Sequence, residues 1–139
     1  MLYKFELIEG KENQIKILYE LLKNRIYVIS HSEMPEYDEH TKFVKCHPYY
    51  KWYLVKQKKE YFGSFYVKND NSIGLNLNKI DKDIVISCID FVKKNFSPKK
   101  VINSVVPEYF FINVSASNKE LINVMQSLNI LPLQVSFRI

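Results

Sequence analysis

Apolar positions along the chain recur at two spacings, one typical of strands and one typical of helices. Alternation, or runs of aromatic and β-branched residues, predicts strands at 3–7, 50–57, 61–68, 73–77, 109–114 and 131–139. Helical spacing predicts helices over 11–25, from Pro35 onward, over 84–95 and after Asn118. The pattern shows no internal repeat or low-complexity linker, so we expect one domain over residues 1–139.

The cleanest alternation lies at the C-terminal end of the sequence, LPLQVSFRI. Its apolar residues occupy every second position and would lie on one face of a strand. They are Leu131, Leu133, Val135, Phe137 and Ile139. This segment is the strand that the pattern predicts most clearly.

The predicted order is strand, helix, helix, three strands, helix, strand, helix and strand. The three consecutive strands are joined by short polar turns, QKKE and NDNS, which favour antiparallel pairing. The later strands are separated by helices, which favours parallel neighbours. The fold class is therefore α/β, with a mixed and mostly antiparallel sheet.

Composition and charge exclude only a few classes of function. Apolar residues make up 47% of the chain and the net charge is +5. The lysines are spread along the chain without a long basic run or a nucleic-acid-binding motif, so a solvated surface explains them better than nucleic acid. Cys46 and Cys88 have no partner at metal-ligand spacing and are expected to be reduced thiols. The N-terminal residues do not resemble a signal peptide and no window would span a membrane, so we expect a soluble, cytoplasmic protein.

The segment ISHSEMPEYDEH, residues 29–40, places two histidines and four carboxylates within twelve residues. Proline at the first turn, followed by acidic residues, is typical of a helix N-terminus and accounts for most of the carboxylates. His31 and His40 lack the i, i+4 spacing of a metal site, so no metal is expected. His40 lies on the apolar side of the helix and is expected to be a hydrogen-bonded core histidine. His31 precedes the helix and is the better candidate for chemistry.

Three segments together resemble the GNAT acetyltransferase superfamily, in the branch of small-molecule and sugar-nucleotide N-acetyltransferases. They are NRIYVISHSEMPEYDEHTKFVKCHPYYKWYLV, GSFYVKNDNSIGLNL and FFINVSASNKELINVMQSLNI, and they cover nearly the whole chain. The resemblance implies a GNAT-like acyl-CoA N-acyltransferase fold whose final strand is missing here. It also implies acetyl-CoA or another acyl-CoA as co-substrate, and a primary amine of a small molecule, an amino sugar among the candidates, as acceptor.

The resemblance implies that the fourth and fifth strands splay apart and admit the pantetheine arm of the acyl donor. The positions that match the family's donor-binding residues are Leu75, Asn76, Leu77, Asn113 and Asn118. The segment that matches the family's pyrophosphate loop, NKIDKDI, contains no glycine, and it carries two aspartates where phosphate oxygens would lie. The residues left there to bind the donor are Lys79, Lys82, Asp83 and Ile84.

For the proton of the amine, His31 is the first candidate, followed by Tyr50 and Glu36. Substrate contacts are expected from Ser30, His31, Trp52 and Ser72. Each has a structural alternative: a helix-start hydrogen bond for His31, a core or pocket wall for Tyr50 and Trp52, and an N-cap for Asn118.

Two departures from the family pattern leave a second function open. Met125 stands where the family often has a tyrosine that protonates the departing thiolate, and Ser72 stands where an acid is common. A catalytically inactive GNAT-like binding or interaction module is therefore the alternative. The absence of a final strand would also leave a free sheet edge, at which a second copy of the chain can pair to form a homodimer.

Overall fold

The computed structural model of the chain describes residues 2–25, 33–100 and 106–139. Within these ranges lie five strands and four helices in the order β1 (Lys4–Leu7), α1 (Glu12–Asn24), α2 (Tyr37–Lys45), β2 (Lys51–Gln57), β3 (Glu60–Val67), β4 (Ser72–Leu77), α3 (Lys82–Asn95), β5 (Phe111–Ile112) and α4 (Lys119–Ser127). The predicted contacts Ser30 and His31 lie outside the described residues.

The strands form one sheet in the order β1-β2-β3-β4-β5. The first four strands pair antiparallel, and β4 pairs with β5 in parallel. The predicted α/β class and the mixed, mostly antiparallel sheet are therefore confirmed. The helices cover both faces of the sheet, because the sequence supplies apolar side chains on both sides of its central strands.

Leu54 and Val55 of β2 show how the two faces are filled. The two neighbours are fully buried, and they enter different cores because successive side chains of a strand point to opposite faces. Leu54 packs with α1 and α2, and Val55 packs with α3 and α4. The first core contains Ile8, Ile15, Leu18, Val44, Trp52 and Leu54. The second contains residues of β3 and β4 with Ile84, Val85, Cys88, Val92, Leu121 and Met125.

The predicted strand at 131–139 is wrong in this structure. These residues form no regular secondary structure and all are exposed. Alternation shows that one side of a segment can be covered, but a strand also needs a neighbouring backbone with which to pair. The predicted strand at 109–114 is shortened for a related reason, because only Phe111 and Ile112 lie in register beside β4.

His40 is the core histidine that the sequence predicts. Its ring is buried between α1 and α2, and its Nε2 lies 3.0 Å from the carbonyl oxygen of Ile15. Burial lowers the pKa of His40, although the bond to Ile15 partly opposes this. Burial also lowers the pKa of His47, whose ring stacks on Tyr49.

These two histidines should make the fold less stable in mild acid. A depressed pKa in the folded state means that stability is present above the unfolded pKa and is lost as the pH falls towards the folded pKa. The free energy of unfolding should therefore be lower at about pH 5.5 than at about pH 7.5. Urea titrations at the two pH values should show a smaller loss in His40→Gln, and the smallest in His40→Gln/His47→Gln. An unchanged loss in the double variant would contradict this assignment.

Candidate functional site

The fourth and fifth strands pair over only part of their possible length. Ser72 lies opposite Phe111, and Ile73 lies opposite Ile112. The amide of Phe111 donates to the carbonyl of Asn71 at 3.2 Å, and the amide of Asn113 donates to that of Ile73 at 3.4 Å. Beyond this point β4 continues to Leu77 while β5 has ended. The second half of β4 therefore has no paired strand on this side among the described residues, and we call the space beside it the gap.

The backbone of β4 determines which polar groups face this gap. Lys68 donates to the carbonyl of Ser72 at 2.9 Å, and Asn78 donates to that of Phe62 at 2.7 Å, so the even-numbered residues bond to β3. Because backbone groups alternate along a strand, the amides and carbonyls of Leu75 and Leu77 point to the β5 side. An extended molecule with amides of its own can bond to them as an added strand does.

Asn71 fixes the place where the two strands meet. It is almost fully buried and has a left-handed backbone with φ of 71°. Its side-chain amide donates to the carbonyls of Lys99 at 3.1 Å and Pro107 at 2.7 Å, and its oxygen accepts from the amide of Lys99 at 2.7 Å. Its own carbonyl accepts from Phe111. One side chain thus anchors the segments that precede β5 to the turn before β4.

Tyr66 lies across Gly74 at the point where the gap opens. A Cβ atom at Gly74 would collide with the ring and the hydroxyl oxygen of Tyr66, so this close approach requires glycine. On its other side the Tyr66 ring stacks on Tyr49, with centroids 3.9 Å apart and planes within 4°. The hydroxyl group of Tyr66 is therefore held against the backbone of β4 by rigid neighbours.

The Ser72 hydroxyl lies on the same face of β4 as Gly74, two residues earlier in the strand. It contacts the carboxylate of Asp70, which lies in the turn before β4. Ser72 Oγ donates to Asp70 Oδ1 at 2.6 Å, and the amide of Ser72 donates to the same oxygen at 2.9 Å. Burial alone would raise the pKa of Asp70, but the two Ser72 bonds and the charge of Lys68 outweigh it, so the pKa lies below its usual value. Asp70 is therefore ionised at neutral pH.

The pKa of Tyr66 is shifted in the opposite direction. Burial raises its pKa; the positive charge of Arg25 opposes this shift, and the negative charge of Asp70 adds to it. The phenol therefore keeps its proton at neutral pH. Tyr66 of β3 can thus donate a proton, and Asp70, which accepts from Ser72 of β4, is a carboxylate nearby.

The segment that was predicted to bind pyrophosphate departs from an anion site. Asp81 caps α3, and its Oδ1 accepts from the amide of Ile84 at 2.9 Å. The Ile84 side chain is fully buried in the core. Lys79 Nζ lies 3.7 Å from Asp81 Oδ2, so one of the two candidate cations already faces a carboxylate. Lys82 and Asp83 are exposed in the first turn of the helix.

The remaining predicted site residues are not brought together. The Tyr50 ring lies against Phe96, with centroids 6.0 Å apart, and the Lys99 ammonium lies 3.7 Å from its centroid. Glu36 is exposed at the N-terminus of α2, the helix that packs on the same face of the sheet as Tyr66. Trp52 is a core residue against Phe43, His47 and Tyr49, as its structural alternative predicts. Tyr50 is 42% exposed and is therefore not a core residue.

The two asparagines also differ in role. Asn118 is buried and caps α4, accepting from the amide of Leu121 at 3.1 Å. Asn113 is exposed where β5 leaves β4, so its side chain is available at the mouth of the gap. Met125 lies in the core and carries no proton to donate. The structure thus offers Tyr66, which the sequence did not indicate, as a phenol beside β4 and the gap.

A surface depression of about 260 Å³ lies elsewhere, between α1 and α2. Its lining comprises Gly10, Glu12, Ile15, Tyr37, Thr41 and Lys45. It is separate from β4 and contains no paired acid and base. Over residues 2–25, 33–100 and 106–139, no cluster of three or more metal-binding side chains occurs, and no helix has the length and apolar character needed to cross a bilayer.

Comparison with known proteins shows the fold. No family model matches the sequence, and no curated protein matches it. The crystal structure of a possible acetyltransferase from Clostridium difficile 630 superposes with a TM-score of 0.60 at 15% identity, covering 99% of this chain and 96% of that one. An aminoglycoside acetyltransferase, meta-AAC0020 from an uncultured soil metagenomic sample in complex with sisomicin, superposes with a TM-score of 0.59 at 12% identity, covering 99% and 94%. The chain has the fold of these acetyltransferases.

Proposed function

We propose that this chain is an acyl-CoA-dependent N-acyltransferase that moves an acyl group, most simply acetyl, to the primary amine of a small molecule. The observation that carries the proposal is the partial pairing of β4 with β5, which ends at Ile73 and Ile112. Two strands that were paired along their whole length would leave no place for the donor's arm. The acetyltransferase fold supports the same reaction class.

The backbone of β4 fits a pantetheine arm. Leu75 and Leu77 direct two amides and two carbonyls into the gap, and pantetheine carries amides that can bond to both kinds of group. A backbone amide of β4 placed against the acyl oxygen would stabilise the negative charge that develops there during transfer. The acyl-CoA supplies the carbonyl, activated as a thioester.

The side chains near Gly74 can donate and accept the protons that the reaction transfers. Acyl transfer forms a carbon–nitrogen bond, breaks a carbon–sulfur bond, removes one proton from the amine and adds one to the sulfur. In our proposal Tyr66 gives its proton to the sulfur, because its raised pKa keeps the phenol protonated. The neutral amine attacks the thioester carbonyl, and the Asp70 carboxylate, which accepts from Ser72, takes the amine proton through the Ser72 hydroxyl as the carbon–sulfur bond breaks. Proton exchange with water then returns Tyr66 and Asp70 to their starting forms. His31 stays a second candidate base from the sequence.

The pyrophosphate end of the donor fits less well. Asp81 already occupies the amide of Ile84, so α3 offers its N-terminus to a phosphate only if that bond is broken. Lys79 and Lys82 would act as point charges there. We therefore expect the arm to contribute most of the donor's binding energy, and an intact CoA to bind weakly.

Amide chemical shifts can test where the donor binds. Titrating ¹⁵N-labelled protein with acetyl-CoA up to about 1 mM should perturb the amides of Leu75 and Leu77 most strongly, since they face the gap. The amides of Gly74 and Asn76 are matched controls, because they bond to β3 and should move less. A parallel assay of CoA release with a panel of primary amines, aminoglycosides first, tests turnover. If saturating donor left Leu75 and Leu77 unperturbed, the proposal would be wrong.

Removing the charge of Asp81 should strengthen donor binding. Asparagine caps a helix as well as aspartate does, so Asp81→Asn preserves α3 while removing a negative charge from the phosphate end. Because Asp81 is partly exposed, we expect a gain in CoA affinity of only about three- to tenfold, and a smaller gain at high salt. Calorimetry measures the change, and Asp83→Asn, which removes an equal charge from an exposed position, should give less. Equal gains in both variants would show a general charge effect instead.

A second function is favoured by one specific pair of observations. Asp81 closes the N-terminus of α3, and Met125 is a core residue where the resemblance implies a proton donor. A chain that binds a ligand in the gap without turnover would have both features. The two functions are separated by the release assay: donor binding at Leu75 and Leu77 without release of CoA from any amine would favour the inactive module.

A further inference from the structure

The segment Leu131–Ile139, hereafter the C-terminal segment, exposes five apolar side chains at alternate positions. Their exposed fractions are 77% for Leu131, 66% for Leu133, 70% for Val135, 85% for Phe137 and 119% for Ile139. Covering large aliphatic or aromatic side chains is favourable, because it removes apolar surface from water. A segment with one apolar face and one polar face has the pattern of a strand that is covered on one side. Within the part of a single chain that the structure describes, its five apolar side chains are exposed.

The end of α4 is held by hydrogen bonds, and the C-terminal segment that follows it joins none of the five described strands. Asn129 adopts a left-handed conformation with φ of 60°, as is common for the residue after a helix. The amide of Asn129 donates to the carbonyl of Gln126, and that of Ile130 donates to Met125, both at 3.0 Å. These bonds fix the direction in which the chain leaves the helix. The segment that follows is exposed throughout.

The outer side of β5 offers a place for such a segment. β5 is the last strand of the sheet. The amides of Phe111 and Asn113 turn towards β4, so the backbone groups of Ile112, which lies between them, turn outward. The side chains of Phe110, Ile112 and Val114 are partly buried against the core formed by α3 and α4. A strand added beside β5 would extend this apolar layer.

We propose that the chain forms a homodimer in which each copy places its C-terminal segment beside β5 of the other copy. In this dimer each β5 edge pairs with the partner's C-terminal segment, and the apolar face of each segment is covered. The two copies are related by a twofold axis, so the assembly is closed and does not grow into a filament. The occupant is a second copy because each copy carries both the uncovered segment and the open strand edge that matches it. This inference does not depend on the transferase proposal. In the dimer, the partner's strand would support β5, the wall of the gap.

The mass of the protein in solution tests the exchange. Sedimentation at about 10 µM should show a dimer of the full chain. In Val135→Lys/Phe137→Lys two charges would enter the covered face, and the dissociation constant should rise by at least about a hundredfold. The matched control, Gln134→Lys/Ser136→Lys, adds the same charge to the polar face of the same segment and should remain dimeric. A monomeric wild-type protein at about 100 µM, or equal weakening by both variants, would overturn the proposal.

Amide hydrogen exchange distinguishes the proposed dimer from a segment folded onto its own copy and from a dimer that uses another surface. It requires no substitution. The amides of the C-terminal segment should be protected in the dimer and should lose protection when the wild-type protein is diluted to monomer. Protection that is independent of concentration would mean that the segment folds onto its own copy, which contradicts the proposal. A dimer whose C-terminal amides exchange freely would use another surface and would contradict it equally. Circular dichroism of the lysine variants confirms that the monomer is folded.

Discussion

Replacing Tyr66 by phenylalanine should lower kcat/KM for acyl transfer by about a hundred- to a thousandfold, the range expected when a positioned proton donor is removed. The substitution keeps the ring, which stacks on Tyr49 and crosses Gly74, and removes only the hydroxyl group. Stability should therefore change little. The measurement is the rate of CoA release with the amine that the panel identifies, at several pH values.

The pH profile separates a proton donor from a merely structural hydroxyl. Because burial raises the pKa of Tyr66, the alkaline loss of rate in the wild-type protein should lie above pH 10, the ordinary range of tyrosine, and should disappear in Tyr66→Phe. Tyr53→Phe is the control: its ring also stacks on a core aromatic, Phe65, with centroids 5.3 Å apart, but on the other face of the sheet. If both variants lost activity equally, Tyr66 would have no special role.

Replacing Asn71 by aspartate should destabilise the fold by about 2–4 kcal/mol, the range for a buried polar network that loses its donors. The amide of Asn71 donates to the carbonyls of Lys99 and Pro107, and a carboxylate cannot make either bond. The new carboxylate would also be held against these carbonyl oxygens in a site that is only 1% exposed. Urea unfolding monitored by circular dichroism gives the change in free energy.

Asn69→Asp is the matched control for this prediction. Asn69 belongs to the same turn but is exposed, so the same chemical change should alter stability by less than about 0.5 kcal/mol. Asn71→Asp should also weaken donor binding beyond its effect on stability, because the anchor sets where β5 leaves β4. Destabilisation of the same size in both variants would show that Asn71 does not act through its buried bonds.

Local patterns in the sequence predicted most of the fold. Helix α1 was predicted from its apolar spacing within one residue at each end, and Asn118 was predicted as a cap from its place before α4. These features depend on residues close together in the chain. The predicted gap between residues 73–77 and 109–114 came instead from the family resemblance, and its opening beyond Ile73 agrees with that prediction.

The side chains around the gap could not be predicted in the same way. Tyr66 meets Gly74 because the turn between β3 and β4 sets their register, and the sequence does not reveal that register. Asn71 was recognised only as part of a turn signal, since its partners lie 28 and 36 residues away. The alternation of 131–139 predicted a strand of this chain's own sheet, but no strand of that sheet pairs with these residues. In each case the missing information was a contact distant in the sequence.

The carboxylate that closes α3 has a consequence for the choice of acyl donor. With Asp81 bonded to Ile84, we expect the protein to bind the nucleotide end of a CoA thioester weakly, so that recognition of the proposed donor depends on its peptide-like arm and its acyl group. Donors that share this arm but carry something else at its far end, such as acyl-pantetheine or an acyl carrier protein, would then compete with acyl-CoA on nearly equal terms. A ratio of kcat/KM near one for acetyl-pantetheine and acetyl-CoA is the expected sign. The rate of such an enzyme would depend on the concentration of available thioesters more than on the molecule that carries the acyl group.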